Sequence, residues 1–195
     1  MKNIFYMLFF FPVFCFARSQ GPFAPSSCVN STIAGGTDWT NPGNAKVEDG
    51  ITADETSATS NIDLCTGFNF SVPHHAVITG ILVEFKRDSD PGKLATDYSV
   101  RIYKNSVAVG TDKANTTVDW AAGTLTWNQY GGIGDLWGTT WTSDDVNNSN
   151  FGAGLSGSKD AGGSNPFHLD ATRITIYFTD STDIEKGKIY KAKFR

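Results

Sequence analysis

The stretch Val77-Ile78-Thr79-Gly80-Ile81-Leu82-Val83-Glu84-Phe85-Lys86 carries the clearest structural pattern in the chain. Its odd positions form an apolar face, made of Val77, Ile81, Val83 and Phe85. Glu84 and Lys86 point to the opposite face. Because successive side chains of a strand alternate between two faces, this period of two predicts a half-buried antiparallel strand.

The same alternation recurs along the chain. It is seen in Tyr98, Val100 and Ile102, and again in Ile174, Ile176 and Phe178. Residues 107–109 and 124–127 are shorter candidates. Turn-forming groups separate the strands, namely Asp90-Pro91-Gly92, Lys104-Asn105-Ser106 and Tyr130-Gly131-Gly132. The pattern predicts an all-β fold, a single antiparallel β-sandwich domain of the jelly-roll type. One helical turn is expected at 142–146, where Thr142 and Asp145 have the spacing of a capping box.

Residues 1–17 have the features of a secretory signal peptide. Lys2 precedes an apolar run over 4–16, and Cys15 and Ala17 place small residues before a cleavage point. The run is shorter than the ~20 residues that a helix needs to cross a hydrocarbon core of ~30 Å. A retained membrane anchor is the alternative. We expect an exported protein, secreted or held at the cell surface, with no membrane span after cleavage.

The chain after residue 17 has the size of one domain. We expect an extended N-terminal arm at 18–38, the β-sandwich at 39–179, and a polar linker with a strand-like tail at 180–195. The full chain has a net charge of −4, and cleavage removes one lysine. Because phosphate binding requires clustered Lys and Arg, this acidic chain argues against a nucleic-acid partner.

Two cysteines, Cys28 and Cys65, remain after the signal peptide is removed with Cys15. An even number of cysteines in an oxidising compartment predicts a disulfide between them. Two buried free thiols are the alternative. Neither cysteine has histidines at metal-ligand spacing, so no zinc site is expected.

A series of motifs in the central region carries a resemblance to a known module. They are Trp39–Ala45, Glu48–Gly50, Thr66–Pro73, Ile78–Glu84, Tyr130–Gly132, Asp135–Gly138, Trp141-Thr142, Asp145–Asn147, Asn150–Gly152 and Arg173–Thr179. In order and spacing the chain resembles a β-sandwich module that recurs in phage virion and prophage-type proteins and in exported bacterial proteins. The resemblance implies display and attachment rather than catalysis. A weaker likeness, through Asn44-Ala45 and Asp49-Gly50, is to galactose-binding-like jelly rolls.

An aromatic-rich stretch supplies the candidate ligand-binding residues Tyr130, Trp137 and Trp141. Exposed rings beside polar groups stack on sugars or anchor a protein partner. The alternative, which we prefer, is that these rings pack in the core. His74 and His75 would lie on opposite faces of a strand, so we interpret them as surface turn residues.

No catalytic residue, metal site or cofactor is expected from the sequence. Structural Ca²⁺ at the acidic turns is an open alternative; these turns contain Glu48-Asp49, Asp54-Glu55 and Asp144-Asp145. The leading hypothesis is a non-enzymatic structural or adhesive component of a cell surface or extracellular assembly. A carbohydrate-binding module is the main alternative, and a secreted hydrolase is a third.

The C-terminal segment 187–195 alternates like a strand after a polar linker. Its apolar side consists of Tyr190, Ala192 and Phe194. Because a lone strand needs a neighbouring edge, the tail is expected to pair with a protein partner or a second copy of the chain, to form an edge strand of its own sandwich, or to stay disordered. The sequence leaves these alternatives open.

Overall fold

A computed structural model of the protein describes residues 16–92, 94–159 and 165–180. Within these ranges ten strands form two antiparallel sheets that pack against each other. The strands are β1 (Phe16–Phe23), β2 (Ser27–Ser31), β3 (Ala53–Glu55), β4 (Ile62–Thr66), β5 (Val77–Ser89), β6 (Thr96–Lys104), β7 (Val107–Val109), β8 (Thr126–Gly132), β9 (Gly152–Ser158) and β10 (Phe167–Asp180). A short helix α1 (Ser143–Asn147) and a 3-10 turn at Pro42–Ala45 complete the described structure. The prediction of an all-β antiparallel sandwich in one domain is confirmed.

The two longest strands, β5 and β10, lie side by side at the centre of the first sheet. That sheet has the order β1-β10-β5-β8, and β3 pairs with the beginning of β10. The second sheet has the order β2-β4-β9-β6-β7. Strand β8 therefore ends the first sheet on one side, and β7 ends the second.

The core lies between the facing surfaces of the two sheets. The first sheet contributes Ile81, Val83, Phe85, Ile174 and Ile176, and the second contributes Val100, Ile102, Ala153 and Leu155. These side chains are fully buried, as the alternation predicts. Val77 is an exception and is exposed. A register shift between the β10 residues Tyr177 and Phe178 breaks the alternation before Ile81.

The region 18–38, expected as an extended arm, contains one strand of each sheet. Strand β1 pairs with β10, and β2 pairs with β4. This region therefore forms part of both sheets rather than an arm held only at Cys28. Residues 1–15 of the predicted signal peptide lie outside the described residues. So do residues 181–195, including Tyr190, Ala192 and Phe194, and the predictions made for both segments stay predictions.

Two local predictions are confirmed and one is wrong. Asn105 and Ser106 both have positive φ, 49° and 63°, and form the two-residue turn between β6 and β7. The Thr142 hydroxyl accepts a bond from the backbone N–H of Asp145, whose side chain accepts from the N–H of Thr142, so the capping box of α1 is complete. Residues 130–132, predicted to break a strand, instead belong to β8.

Candidate functional site

A β-bulge in β6 creates the centre of the candidate site. The register of β6 against β9 shifts between Asp97 and Ser99, so Asp97 turns into the sandwich and Tyr98 turns outward. Tyr98 is 47% exposed, although the alternation predicted that it would share the buried face of Val100. The structure therefore places a carboxylate where the sequence pattern predicted an aromatic ring.

Asp97 is fully buried and is hydrogen-bonded by groups from several elements. Its Oδ1 accepts from the Trp120 Nε1–H at 2.9 Å and lies 3.0 Å from Arg87 Nη2. Its Oδ2 accepts from the Tyr130 hydroxyl at 2.8 Å and from the Asn115 backbone N–H at 2.9 Å. A buried charge is stable only when it is paired and hydrogen-bonded in this way.

Arg87 completes the same network from the first sheet. Its Nη2 donates to the Tyr130 oxygen at 2.7 Å, and its guanidinium lies 4.3 Å from the centroid of the Trp120 ring. Burial raises the pKa of the Tyr130 hydroxyl above its ordinary value. The hydroxyl therefore stays protonated and donates to Asp97. We call Arg87, Asp97, Trp120 and Tyr130 the buried polar cluster.

A cleft of about 480 Å³ lies above this cluster, and we call it the β8 cleft. One wall is formed by Arg87 and residues 128–131 of β8. The other is formed by residues 111–115 and Val118, which follow β7. Because β8 is the last strand of its sheet among the described residues, the cleft lies beside a strand edge that no other described strand pairs with. Its volume is within the roughly 300–1,000 Å³ typical of ligand pockets.

The second wall is held in place by backbone hydrogen bonds. Thr111 donates its N–H to the Trp137 carbonyl at 2.7 Å, and Lys113 donates to the Val100 carbonyl at 3.0 Å. The Asp112 carboxylate accepts from the Val100 N–H at 2.8 Å and from the Ser99 hydroxyl at 2.7 Å. These hydrogen bonds hold residues 111–115, which belong to no helix or strand, against β6.

The charged groups around the cleft are already paired. The Lys113 ammonium lies 2.7 Å from Asp135, and Asp112 lies 3.9 Å from Arg101. Burial favours the neutral form of Asp135, but Lys113 and the Trp137 N–H outweigh it and hold the pKa of Asp135 below its usual value. With Arg87 paired to Asp97, the cleft presents hydrogen-bonding groups and little net charge. Such a surface is suited to a neutral polar ligand.

The three aromatic residues singled out from the sequence are all buried. Trp137 donates its Nε1–H to the Ile81 carbonyl at 3.0 Å, and Trp141 donates to the Leu136 carbonyl at 3.0 Å. The Trp141 ring also packs edge-on against Phe151. These positions fit the packing alternative. Tyr130 is the one of the three that lines the β8 cleft.

The predicted disulfide between Cys28 and Cys65 is present. The two residues are directly opposite each other on β2 and β4. Asp63 lies close by. One of its carboxylate oxygens and the two cysteine Sγ atoms are all within 4.8 Å of one another. Neither carboxylate oxygen of Asp63 has a hydrogen-bond partner among the described residues, and burial raises the pKa of this group well above its usual range.

The acidic turns considered for Ca²⁺ make contacts within the chain. Glu48 lies 2.9 Å from Lys86, and Asp145 takes part in the α1 cap. Asp144 faces His74 at 3.2 Å on the surface. His74 and His75 lie on an exposed turn. The Glu55 carboxylate accepts bonds from the next two backbone N–H groups.

Sequence reasoning missed the residues that build the cleft, above all Arg87, Asp97 and Lys113. The signal available was a pair of charged residues, Arg87 and Asp97, inside otherwise strand-like segments.

The sequence matches no known protein-family model and no curated protein. Within the described ranges no helix is long and apolar enough to span a bilayer.

Proposed function

We propose that this chain is an exported, non-catalytic attachment protein of a cell surface or extracellular assembly, and that it binds a saccharide in the β8 cleft. The observation that carries the proposal is that the cleft is polar while its charged side chains are paired within the protein. A ligand that gains from such a surface is neutral and rich in hydroxyl groups. Saccharides have this chemistry.

Charge argues against the other ligand classes for this cleft. An anionic ligand would be favoured by an unpaired cation, but Arg87 is paired with Asp97 and Lys113 with Asp135. An apolar ligand would be favoured by exposed rings or aliphatic groups. Val118 is the one exposed large apolar side chain among the residues that line the cleft in the described structure.

A rigid base supports binding with little loss of conformational entropy. The buried polar cluster fixes Tyr130 and Arg87 beneath the cleft, and backbone hydrogen bonds fix residues 111–115 above it. Groups that are ordered before binding do not have to be ordered by the ligand. The Cys28–Cys65 disulfide suits a protein that works in an oxidising compartment.

Binding to an array of immobilised glycans tests the proposal. Asn128 and Asn115 are the side-chain amides to change, because both line the cleft. A typical hydrogen bond contributes about 0.5–1.5 kcal/mol, so Asn128→Ala or Asn115→Ala is expected to weaken binding roughly 3- to 10-fold. Asn150→Ala is the matched control, since Asn150 lies outside the cleft and its amide bonds with Asn105.

Two results would contradict the proposal. One is the absence of binding to every glycan on the array by the folded chain. The other is glycan binding that Asn128→Ala and Asn115→Ala leave unchanged. Release of a shorter saccharide during incubation would favour the hydrolase alternative over a non-catalytic role.

A further inference from the structure

Strand β1 lies at the edge of the first sheet and contributes almost nothing to the core. None of residues 17–23 is buried, and the largest apolar side chain among them, Phe23, is 39% exposed. The polar residues Arg18 and Gln20 are opposite buried apolar residues of β10. Because opposite residues share a face of the sheet, the inward side of β1 is polar there. The hydrophobic effect therefore does little to hold this strand.

Besides its backbone ladder with β10, β1 makes side-chain contacts with residues 70 and 71. The Gln20 amide donates to the Ser71 carbonyl and accepts from the Ser71 N–H, both at 3.0 Å. The Phe23 ring lies 5.2 Å from the Phe70 ring. When a strand leaves its sheet, water replaces its hydrogen bonds, so their net contribution to stability is small. Strand β1 can therefore leave β10 at a low cost in free energy.

The edge of β10 nevertheless fits this particular strand. The ladder shifts register between Gln20 and Phe23, and Gly21 lies within the shift with a φ of 106°. An added Cβ at Gly21 would lie 2.4 Å from the Ile174 carbonyl oxygen, so glycine is needed for the two backbones to approach this closely. A strand of unrelated sequence would not reproduce this approach or the Gln20 bonds to Ser71. The segment that fits the β10 edge is therefore β1 of this same sequence.

The connection between β1 and β2 is short and is fixed at its far end. Residues 24–26 join the two strands, and the backbone N–H of Ser26 is bonded to a β4 carbonyl at 3.1 Å. Strand β2 is held on β4 by the disulfide between Cys28 and Cys65. Residues 18–24 can therefore move as one piece while the rest of the fold stays in place. Short hinge loops of this kind favour exchange of the element they carry between copies of a chain.

Departure of β1 leaves the β10 edge unpaired over residues 174–180. The strand itself stays in place, because its other edge is paired with β5. An unpaired strand edge is a template for pairing with another chain. A second copy of β1 makes the same contacts there as the strand that left, so exchange between two copies costs little.

We propose that two copies of this chain exchange their β1 strands, so that the β10 edge of each copy binds residues 18–23 of the other. The exchange is reciprocal, so it closes on a two-fold axis and stops at a dimer. Strands β1 and β8 lie at opposite ends of the first sheet, so the exchange leaves the β8 cleft uncovered. The dimer presents two such clefts, which raises the avidity for a surface that carries many ligands.

A cross-link between β1 and β10 distinguishes exchange from other forms of association. Ser19 and Tyr177 are opposite each other in the ladder, so their Cβ atoms are about 4.5–5.5 Å apart. The exported chain with Ser19→Cys and Tyr177→Cys is incubated at high concentration just below its melting temperature. Monomer and dimer are separated by size-exclusion chromatography. Each fraction is treated with a short bis-maleimide, which leaves the native disulfide intact, and is analysed on a denaturing gel without reductant.

The dimer fraction is expected to give a covalent dimer, because the two linked thiols then belong to different copies. The monomer fraction is expected to give single chains linked internally, and cross-linking before the incubation is expected to abolish dimer formation. The matched control is Thr96→Cys with Ser158→Cys, an opposite pair on β6 and β9 that exchange of β1 does not separate. This control is expected to give single chains in both fractions.

Two results would overturn the proposal. One is a folded chain that light scattering shows to be monomeric throughout the incubation. The other is a dimer fraction in which Ser19→Cys with Tyr177→Cys is linked only within single chains, since that dimer would use another surface. Neither result bears on saccharide binding in the β8 cleft, which the glycan array measures separately.

Discussion

Arg87 and Asp97 form an ion pair across the interior of the sandwich, with 3.0 Å between Nη2 and Oδ1. Arg87 belongs to β5 of the first sheet and Asp97 to β6 of the second. Both side chains are almost completely buried, and the Tyr130 hydroxyl bonds to each of them. The pair therefore links the two sheets at the base of the β8 cleft.

Removing one member of this pair is expected to destabilise the protein strongly. Asp97→Ala leaves the Arg87 cation buried without its partner, which typically costs 3–5 kcal/mol, on the order of a third of a domain's stability. The double change Arg87→Met with Asp97→Leu removes both charges and is expected to cost much less. Urea denaturation measures the free energy of unfolding of the single and the double variant. A loss below about 1 kcal/mol for Asp97→Ala would show that the pair does not hold the sheets together.

The Asp97 position also shows where sequence patterns stop predicting the structure. Alternation alone identified β6 and β10 correctly, because Val100, Ile102, Ile174 and Ile176 are buried as expected. Alternation predicted that the Tyr98 side chain is buried, because a strict period of two does not account for the extra residue of a β-bulge. The bulge between Asp97 and Ser99 depends on pairing with β9, which is distant in sequence.

The disulfide could be predicted from the sequence, whereas the β8 cleft could not. Cys28 and Cys65 could be paired from the sequence because the predicted signal-peptide cleavage would leave only these two of the three cysteines. The β8 cleft is assembled from β5, β8 and the segment after β7, and no local motif marks it. Arg87 and Lys113 look like ordinary surface charges until the sheet order brings them together.

Asp63 is expected to make the protein less stable as the pH rises. Its pKa in the folded state is raised by burial, so the folded chain keeps a proton that the unfolded chain releases above a pKa of about 3.9. Stability therefore falls as the pH increases from that value toward the raised folded-state pKa. Below both pKa values the Asp63 carboxyl is protonated in the folded and the unfolded chain, so this loss of stability is absent.

Replacing Asp63 tests this pH dependence. Asp63→Val removes the unpaired carboxyl and is expected to raise the free energy of unfolding at pH 7 by about 1–3 kcal/mol. Asp63→Asn keeps the size of the side chain and removes the titration. Urea denaturation of both variants between pH 4 and pH 7 is expected to show a flatter pH profile than that of the unmodified chain. An unchanged profile in both would contradict the account.

The disulfide is expected to contribute much of the stability of this fold. It closes a loop with a sequence separation of 37 residues. On the chain-entropy model such a crosslink contributes about 4 kcal/mol, so the double variant Cys28→Ala with Cys65→Ala is expected to lose that order of stability. Mass spectrometry of non-reduced peptides checks the bond itself. Two alkylatable thiols in freshly secreted protein would contradict it.

Gly131 is expected to be intolerant of any side chain, because the backbone and Trp137 leave no room. Its φ is 77°, and an added Cβ would lie 2.3 Å from the Ile81 carbonyl oxygen and 2.6 Å from Trp137 Nε1. These two atoms are joined by the hydrogen bond that seats the Trp137 ring. Gly131→Ala would therefore strain the backbone and also displace a core tryptophan.

The matched control for this change is Gly134→Ala. Gly134 has a similar φ of 81°, but an added Cβ there meets no atom within 4 Å. It is expected to cost only the backbone strain, about 1–2 kcal/mol. Gly131→Ala is expected to cost roughly 1–3 kcal/mol more from overpacking. Urea denaturation followed by tryptophan fluorescence measures the difference. Equal losses in the two variants would mean that the Trp137 contact does not constrain β8.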